Sequence, residues 1–160
     1  MSALVQPFIS TLTGSLDSKG RVCIPAQYRT ILSAQATPGV YICPSFIDPA
    51  LEAFGQTLLD TTAARLATQD PFFSASFDDE ATALIARTQS LPPDDQGRVR
   101  LPDALIAHAG LKDKVVFVGK VHKFQIWDAE RFAAIEAEAV ARVKAKMERA
   151  RAAAATGESA

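Results

Sequence analysis

Two short stretches of this chain combine an aspartate, a glycine and an arginine at the same spacing. They run from Asp17 to Pro25 and from Asp94 to Pro102, and both read Asp-x-x-Gly-Arg-Val-x-apolar-Pro. The second stretch lies 77 positions after the first. Because the valine and proline recur at the same offsets as the charged residues, we interpret the pair as an internal duplication.

The chemistry available to each motif centres on its arginine. The aspartate four residues earlier can reach across the intervening turn and hold the guanidinium in one orientation, which suits phosphate oxygens or the O6/N7 edge of guanine. Lys19 adds a second positive charge in the first copy, whereas Gln96 offers an uncharged amide in the second. The alternative is that each aspartate–arginine pair only fastens its turn, as an exposed ion pair that contributes about 0–1 kcal/mol.

The elements that must position these arginines follow the same order in both copies. Gly20 and Gly97 end their turns, where glycine is free to take a positive φ. Pro25 and Pro102 suit the first turn of a helix, and Gly110 suits a helix stop. In the first copy we predict strands over residues 10–16, 22–24 and 40–42, a turn over 17–20 and a helix over 26–32. In the second copy we predict strands over residues 86–91, 99–101, 115–118 and 124–127, a turn over 94–97 and a helix from Pro102.

The remaining segments are predicted to be largely helical. Residues 49–69 and 78–86 are interpreted as connecting helix with a hinge at Pro71-Phe72-Phe73, and Asp128 is a candidate N-cap for a long Ala-rich terminal helix. These assignments predict a first module with its connecting helix over residues 8–70, a second module over 84–135, and a helical, partly disordered tail over 136–160.

Composition limits the classes of protein that this chain can be. A length of 160 residues allows one or two small domains, and an apolar content of 48% excludes a mostly disordered chain. No apolar run approaches the roughly 18–20 residues that span a bilayer. Residues 1–12 lack a basic leader followed by an apolar block, so we expect no secretory signal and a soluble, cytoplasmic chain. The net charge of −1 does not suggest a strongly basic nucleic-acid binder, although charge can be concentrated on one face.

The residues that most often serve catalysis or metal binding form no recognisable set. Cys23 and Cys43 are too few for a disulfide scaffold, and each lies in an apolar run that predicts burial. His108 and His122 have no partner at ligand spacing. There is also no glycine-rich phosphate cradle, no Ser–His or Cys–His pair and no carboxylate cluster. We therefore predict no enzyme activity, no cofactor and no metal.

The motifs resemble a known family of bacterial regulators. The segment over residues 17–25 is similar to the swapped-hairpin β-barrel DNA-binding module of the AbrB class, and its duplication in one chain resembles the MraZ family. The second half is the more specific match, and the resemblance covers about residues 8–132. The matching residues are Asp94-Asp95-Gln96-Gly97-Arg98, Leu101-Pro102, Ala109-Gly110-Leu111, Val115-Val116-Phe117-Val118-Gly119 and Ile126-Trp127-Asp128.

The resemblance implies an α+β fold of tandem swapped-hairpin (AbrB/SpoVT-like) double-split β-barrel modules with peripheral helices and a C-terminal helix. It implies a homo-oligomeric ring, associated with the nucleoid, that binds direct repeats of double-stranded DNA in the promoter of its own division and cell-wall gene cluster and represses it, with no membrane contact. The DNA-binding residues carried over are Asp17, Lys19, Gly20, Arg21, Asp94, Gln96, Gly97 and Arg98. Phe117, Phe124 and Trp127 are expected in the barrel core.

The second copy departs from the family pattern in two ways. Pro92-Pro93 replaces the apolar residue before the motif aspartate, so the preceding strand must end early or lie at an edge, since proline cannot donate to a strand ladder. Asp95 adds a negative charge beside the turn. We therefore expect Lys19 and Arg21 to dominate DNA binding. The rival interpretations are an oligomeric assembly module, or an antitoxin-like interaction module, without a sequence-specific operator.

Overall fold

The computed structural model describes residues 6–157, and it is a mixed structure of antiparallel strands and helices, which confirms the α+β class. The strands are β1 (Thr11–Ser15), β2 (Arg21–Cys23), β3 (Tyr41–Pro44), β4 (Leu51–Phe54), β5 (Gln89–Ser90), β6 (Arg98–Arg100), β7 (Lys114–Gly119) and β8 (Phe124–Asp128). The helices are α1 (Ala26–Ser33), α2 (Gln56–Leu66), α3 (Ala75–Glu80), α4 (Asp103–Ala109) and α5 (Ala129–Ala155), and a π-helical turn, Ala81–Ile85, continues α3.

The two copies of the motif share their sheets. The main sheet has the order β1-β7-β8-β4-β3-β5, so that β1 and β4 of the first copy pair antiparallel with β7 and β8 of the second. The motif strands β2 and β6 form a separate two-stranded ribbon. Each copy therefore completes the hydrogen-bonding of the other.

The core lies where strands of both copies meet helices α1 and α4. Phe117, Phe124 and Trp127 are buried, and Phe117 and Phe124 belong to this core, as predicted. Tyr28 of α1 stacks at a tilt on Phe124, with ring centroids 4.8 Å apart, and Phe8 contacts both rings at 5.2–5.3 Å. Such aromatic contacts add to the burial of apolar area and anchor α1 against the sheet.

The two short helices begin and end as their sequences predict. Pro25 directly precedes α1 and Pro102 directly precedes α4. The fixed φ of proline favours the start of a helix at both positions. Gly110 ends α4 in the left-handed conformation, with φ 58°. These helices follow the motif strands immediately, so they hold the ends of the ribbon.

The connecting region departs from the prediction at two points. The prediction makes residues 49–69 helical throughout, but Leu51–Phe54 is strand β4, which pairs with both β3 and β8 inside the sheet. Burial on two sides decides the conformation of such a short apolar run, which has no periodicity of its own. The strand predicted over residues 86–91 is reduced to β5, because the π-helical turn and the cap after it extend through Ala86.

The C-terminal helix forms a separate compact unit from Ala129 onward. The predicted long helix is present as α5, whose 27 residues span about 40 Å, and it gives way to a turn at residues 156–157. Residues 158–160 of the tail predicted over 136–160 lie outside the described residues. Among the helices of residues 6–157, none has the length and apolar character that crossing a bilayer requires.

Candidate nucleic-acid interface

The first motif folds into a five-residue loop, residues 17–21, which we call loop 1. One carboxylate oxygen of Asp17, Oδ1, accepts hydrogen bonds from the backbone N–H groups of Lys19 and Arg21, each at 2.9 Å. The other, Oδ2, accepts a hydrogen bond from Arg21 Nε at 2.8 Å. Gly20 has φ 76°, which closes the turn. The aspartate thus fixes both the loop backbone and the arginine side chain.

The second motif, residues 94–98 or loop 2, repeats this geometry. Asp94 Oδ1 accepts hydrogen bonds from the backbone N–H groups of Gln96 and Arg98 at 2.9 Å, and Oδ2 accepts one from Arg98 Nε at 2.8 Å. Gly97 has φ 79°. The duplicated sequence therefore produces a duplicated structure, down to individual hydrogen bonds.

Each arginine keeps most of its hydrogen-bonding capacity. A guanidinium has five N–H donors, and in both loops the aspartate takes only the one on Nε. Within residues 6–157 the terminal nitrogens of Arg21 and Arg98 form no hydrogen bond, and 25% and 34% of these side chains are exposed. The ion pair that fastens the turn therefore also presents the guanidinium fork to a partner, so the two roles weighed from the sequence are compatible.

The ribbon places both loops on one surface. Val22 is paired with Val99, and both are fully buried, so the flanking residues of each strand face outward by the two-residue alternation of strands. Arg21 lies opposite Arg100, and Arg98 lies opposite Cys23. The outer face of the ribbon therefore carries three arginines. Arg98 lies two residues further along the ribbon than Arg21, a distance of about 7 Å.

Hydrogen bonds at both ends of the ribbon relate the loops by an approximate twofold. The N–H of Leu101 donates to the Gly20 carbonyl at 2.8 Å, and the N–H of Ile24 donates to the Gly97 carbonyl at 2.9 Å. Each loop is thus secured by the strand end of the other copy, so that the eight predicted site residues lie together on the ribbon and its two ends.

The electrostatics of the loops favour the ionised pairs. The pKa of the Asp17 carboxyl is held below its ordinary value, first by the backbone N–H of Arg21 and also by its guanidinium and by the N–H of Lys19. The pKa of Asp94 is lowered in the same way by the backbone N–H of Arg98, with Gln96 contributing. Both aspartates therefore stay charged at neutral pH and keep the arginines oriented.

The proline departure in the second copy has the predicted effect. Strand β5 is two residues long and ends before Pro92, and it lies at one edge of the main sheet as β1 lies at the other. In the first copy the N–H of Leu16 donates to the Asp113 carbonyl at 2.8 Å. Pro93 holds the corresponding position in the second copy and has no N–H to donate. Loop 2 is therefore less firmly attached to the main sheet than loop 1.

This surface differs from the sequence prediction at two residues. Arg100 is not among the predicted site residues, although its two-residue spacing from Arg98 on a strand places both on one face. Cys23 is predicted to be buried, but it is exposed, because it shares the outer face with Arg98 and only its neighbours Val22 and Ile24 point inward. Cys43 is buried as predicted, and burial raises the pKa of its thiol.

The described part of the chain brings no three His, Cys, Asp or Glu side chains close enough together to hold a metal ion. The carboxylates of Asp17 and Asp94 are paired with Arg21 and Arg98. The chemistry of the ribbon face is thus that of arginines held in fixed orientations.

Comparison with known proteins identifies the family. The family model described as "MraZ protein, putative antitoxin-like" matches residues 84–153. Proteins named Transcriptional regulator MraZ from Xanthobacter autotrophicus and Azorhizobium caulinodans are each 44% identical over 137 residues, which cover 86% of this chain and 87% of each relative. The protein of that name from Methylocella silvestris is 40% identical over 137 residues, or 86% of this chain and 83% of the relative. The chain therefore belongs to the MraZ family of transcriptional regulators.

Proposed function

We propose that this chain binds double-stranded DNA sequence-specifically through loops 1 and 2, at direct repeats in the promoter of its own division and cell-wall gene cluster, and represses that cluster. The observation that carries the proposal is the orientation of Arg21 and Arg98. Each is held by one nitrogen and offers the remaining fork outward, as recognition of phosphate or of a guanine edge requires.

Within this proposal, some loop residues contact phosphate and others contact base edges. Contacts to phosphate set the register of a protein on DNA, whereas contacts to base edges discriminate sequence. Lys19 at the tip of loop 1 is exposed and suits phosphate, while Arg21 and Arg98 suit guanine. Loop 1 carries one net positive charge and loop 2 one net negative charge, which supports the prediction that Lys19 and Arg21 dominate binding.

We further propose that the body of the protein is a tandem swapped-hairpin, double-split β-barrel, with sequence modules over residues 8–70 and 84–135 and a helical tail over 136–160. The pairing of β1 with β7 and of β2 with β6 supports this proposal, because strands of each copy pair with strands of the other. The approximate twofold of the ribbon would then be the twofold of the barrel.

A ring-like homo-oligomer completes the proposed mechanism. A few phosphate contacts give only weak, non-specific affinity, but several linked copies that meet repeats of matching spacing gain through effective concentration. Exposed apolar pairs support self-association: Phe46 and Ile47 are 81% and 85% exposed, and Phe72 and Phe73 are 87% and 91% exposed. The α5 residues Val140, Val143 and Met147 add a further exposed apolar stripe. Light scattering after size-exclusion chromatography would measure the copy number.

The proposed DNA target places the protein in the cytoplasm, at the nucleoid. Neither catalysis nor a cofactor has a role in this mechanism, because binding alone blocks transcription. The membership of a transcriptional-regulator family points to the same class of function.

The test is fluorescence anisotropy with DNA from upstream of the chain's own gene and with a random duplex of equal length, at several salt concentrations. We expect the wild type to prefer the upstream DNA, and Arg21→Ala with Arg98→Ala to abolish that preference. The slope of log K against log salt should also fall by about 0.9 for every phosphate that the variant no longer neutralises. Arg87→Ala is the matched control, since it removes an exposed arginine that lies outside both loops.

The outcomes separate this proposal from the rival one. Equal affinity of the wild type for both duplexes would overturn the regulator proposal and favour an assembly or antitoxin-like module. Specific binding that survives the double variant would move the DNA contact away from the loops.

A further inference from the structure

The internal repeat relates two helix residues as well as two loops. Arg29 in α1 and Ile106 in α4 are 77 positions apart, the same offset that relates the two motifs. Each helix packs on the loop of the other copy. A Cβ built on Gly20 would lie 3.4 Å from Ile106 Cδ1, whereas a Cβ built on Gly97 would lie 2.5 Å from Arg29 Cδ and Nη1. Loop 1 is therefore covered by an isoleucine, and loop 2 by an arginine.

The residue that covers each loop complements the charge of that loop. Loop 1 has Lys19 at its tip and an apolar residue behind it. Loop 2 has Gln96 at its tip, an additional carboxylate at Asp95, and Arg29 behind it. Arg29 raises the net charge at loop 2 from −1 to zero. The copy that lacks the tip cation thus receives a cation from the helix of the other copy.

The guanidinium of Arg29 has no protein partner among the described residues. Its Nε is buried without a hydrogen bond, and no hydrogen bond or ion pair within residues 6–157 involves its terminal nitrogens. Arg29, Pro93, Asp95 and Gly97 line one cavity of about 380 Å³ beside loop 2. Only Nε is buried, so the terminal nitrogens of Arg29 keep their N–H donors available to an acceptor from outside the chain.

We propose that Arg29 is the phosphate-contacting cation of loop 2, and that its terminal nitrogens donate to an oxygen of the DNA backbone. The inference rests on the proposed DNA binding and names a residue of that site which lies outside the repeated motifs. Because Cδ and Nη1 of Arg29 lie beside Gly97 and its Nε is buried, a ligand can reach the guanidinium only at its terminal nitrogens. This geometry suits a backbone contact that sets position rather than base readout.

The test compares Arg29→Met with Ile106→Met, the matched change at the repeat-related position, in the anisotropy assay. Arg29→Met should weaken binding to upstream and random duplexes by the same factor and lower the salt slope by about 0.9 per phosphate that Arg29 neutralises. Ile106→Met should leave the slope unchanged. Arg29→Lys, which keeps the charge, should retain most of the slope.

A second variant separates charge from packing. Adding Gln96→Lys to Arg29→Met restores a cation at the tip of loop 2, as in loop 1, and should recover the slope. Thermal unfolding and oligomer size should match the wild type for every variant scored. An unchanged slope in Arg29→Met, or an equal decrease in Ile106→Met, would overturn the inference and assign Arg29 to packing alone.

The wild-type measurement in the same experiment distinguishes the two proposals. If the wild type prefers upstream DNA and Arg29→Met has the wild-type slope, only the role of Arg29 is wrong. If the wild type binds neither duplex, the proposed function fails and the role of Arg29 fails with it.

Discussion

The two loop glycines offer a matched pair for testing the geometry of the site by stability alone. Gly20 and Gly97 have nearly the same φ, 76° and 79°. An L-residue in this left-handed conformation costs about 1–2 kcal/mol, so alanine at either position should carry that strain equally. For a chain of this size, about 1–2 kcal/mol lowers the melting temperature by about 2–8 °C.

The atoms around the two glycines differ, so Gly20→Ala and Gly97→Ala should lose different amounts of stability. The new Cβ of Gly20→Ala would lie 3.4 Å from Ile106 Cδ1 and 3.5 Å from the Leu101 carbonyl oxygen, which are tolerable contacts. The new Cβ of Gly97→Ala would lie 2.5 Å from the side chain of Arg29, which must move. Forcing a side chain off its rotamer costs about 0.5–1.5 kcal/mol, and the end of a flexible arginine can shift at the lower end of that range, so we expect Gly97→Ala to be more destabilising by about 0.5 kcal/mol.

The assay is urea unfolding followed by circular dichroism, at one chain concentration because oligomers gain stability with concentration. Removing the obstruction with Arg29→Ala should abolish the excess cost of Gly97→Ala while leaving the cost of Gly20→Ala unchanged. The reasoning is refuted if the two alanine variants are equally unstable, or if the excess persists when Arg29 is absent.

Three further outcomes are expected. Gly119→Ala should lower the free energy of unfolding by about 1–3 kcal/mol, because its Cβ would lie 2.6 Å from the backbone of Ile9, which cannot move aside as a side chain can; urea unfolding measures this. Tyr28→Phe should cost about 0.5–1.5 kcal/mol in the same assay, because it removes the hydroxyl that donates to the Ile9 carbonyl at 2.8 Å. The lowered pKa values of Asp17 and Asp94 stabilise the fold above the ordinary carboxyl value of 3.8, and this stabilisation disappears as pH falls through the lowered pKa values. The double variant Asp17→Asn with Asp94→Asn should therefore lose less stability between pH 5 and acid than the wild type does. A titration of melting temperature against pH measures this, and an equal decrease in both proteins would place the acid sensitivity in other groups.

Local sequence determined the parts of this protein whose chemistry is complete within a few residues. The turns at residues 17–20 and 94–97 need only an aspartate, a glycine and an arginine at fixed spacing, and their hydrogen bonds form inside each loop. Pro25 and Pro102 start the helices that follow, and Gly110 ends one of them. Residues 115–118 are an apolar run rich in β-branched valine, which favours the buried strand β7.

Tertiary structure decided everything that depends on pairing between distant residues. Residues 51–54 became strand β4 because β3 and β8 provide hydrogen-bonding partners on both sides, which no local pattern encodes. The register of β2 on β6 set Arg21 opposite Arg100 and turned Cys23 outward. The position of Arg29 over Gly97 joins residues 68 positions apart, through the packing of one copy on the other. The motif alone thus determined how each arginine is held, while the interleaving of the two copies decided which cations share its surface, because only folding brings those side chains within reach of one ligand.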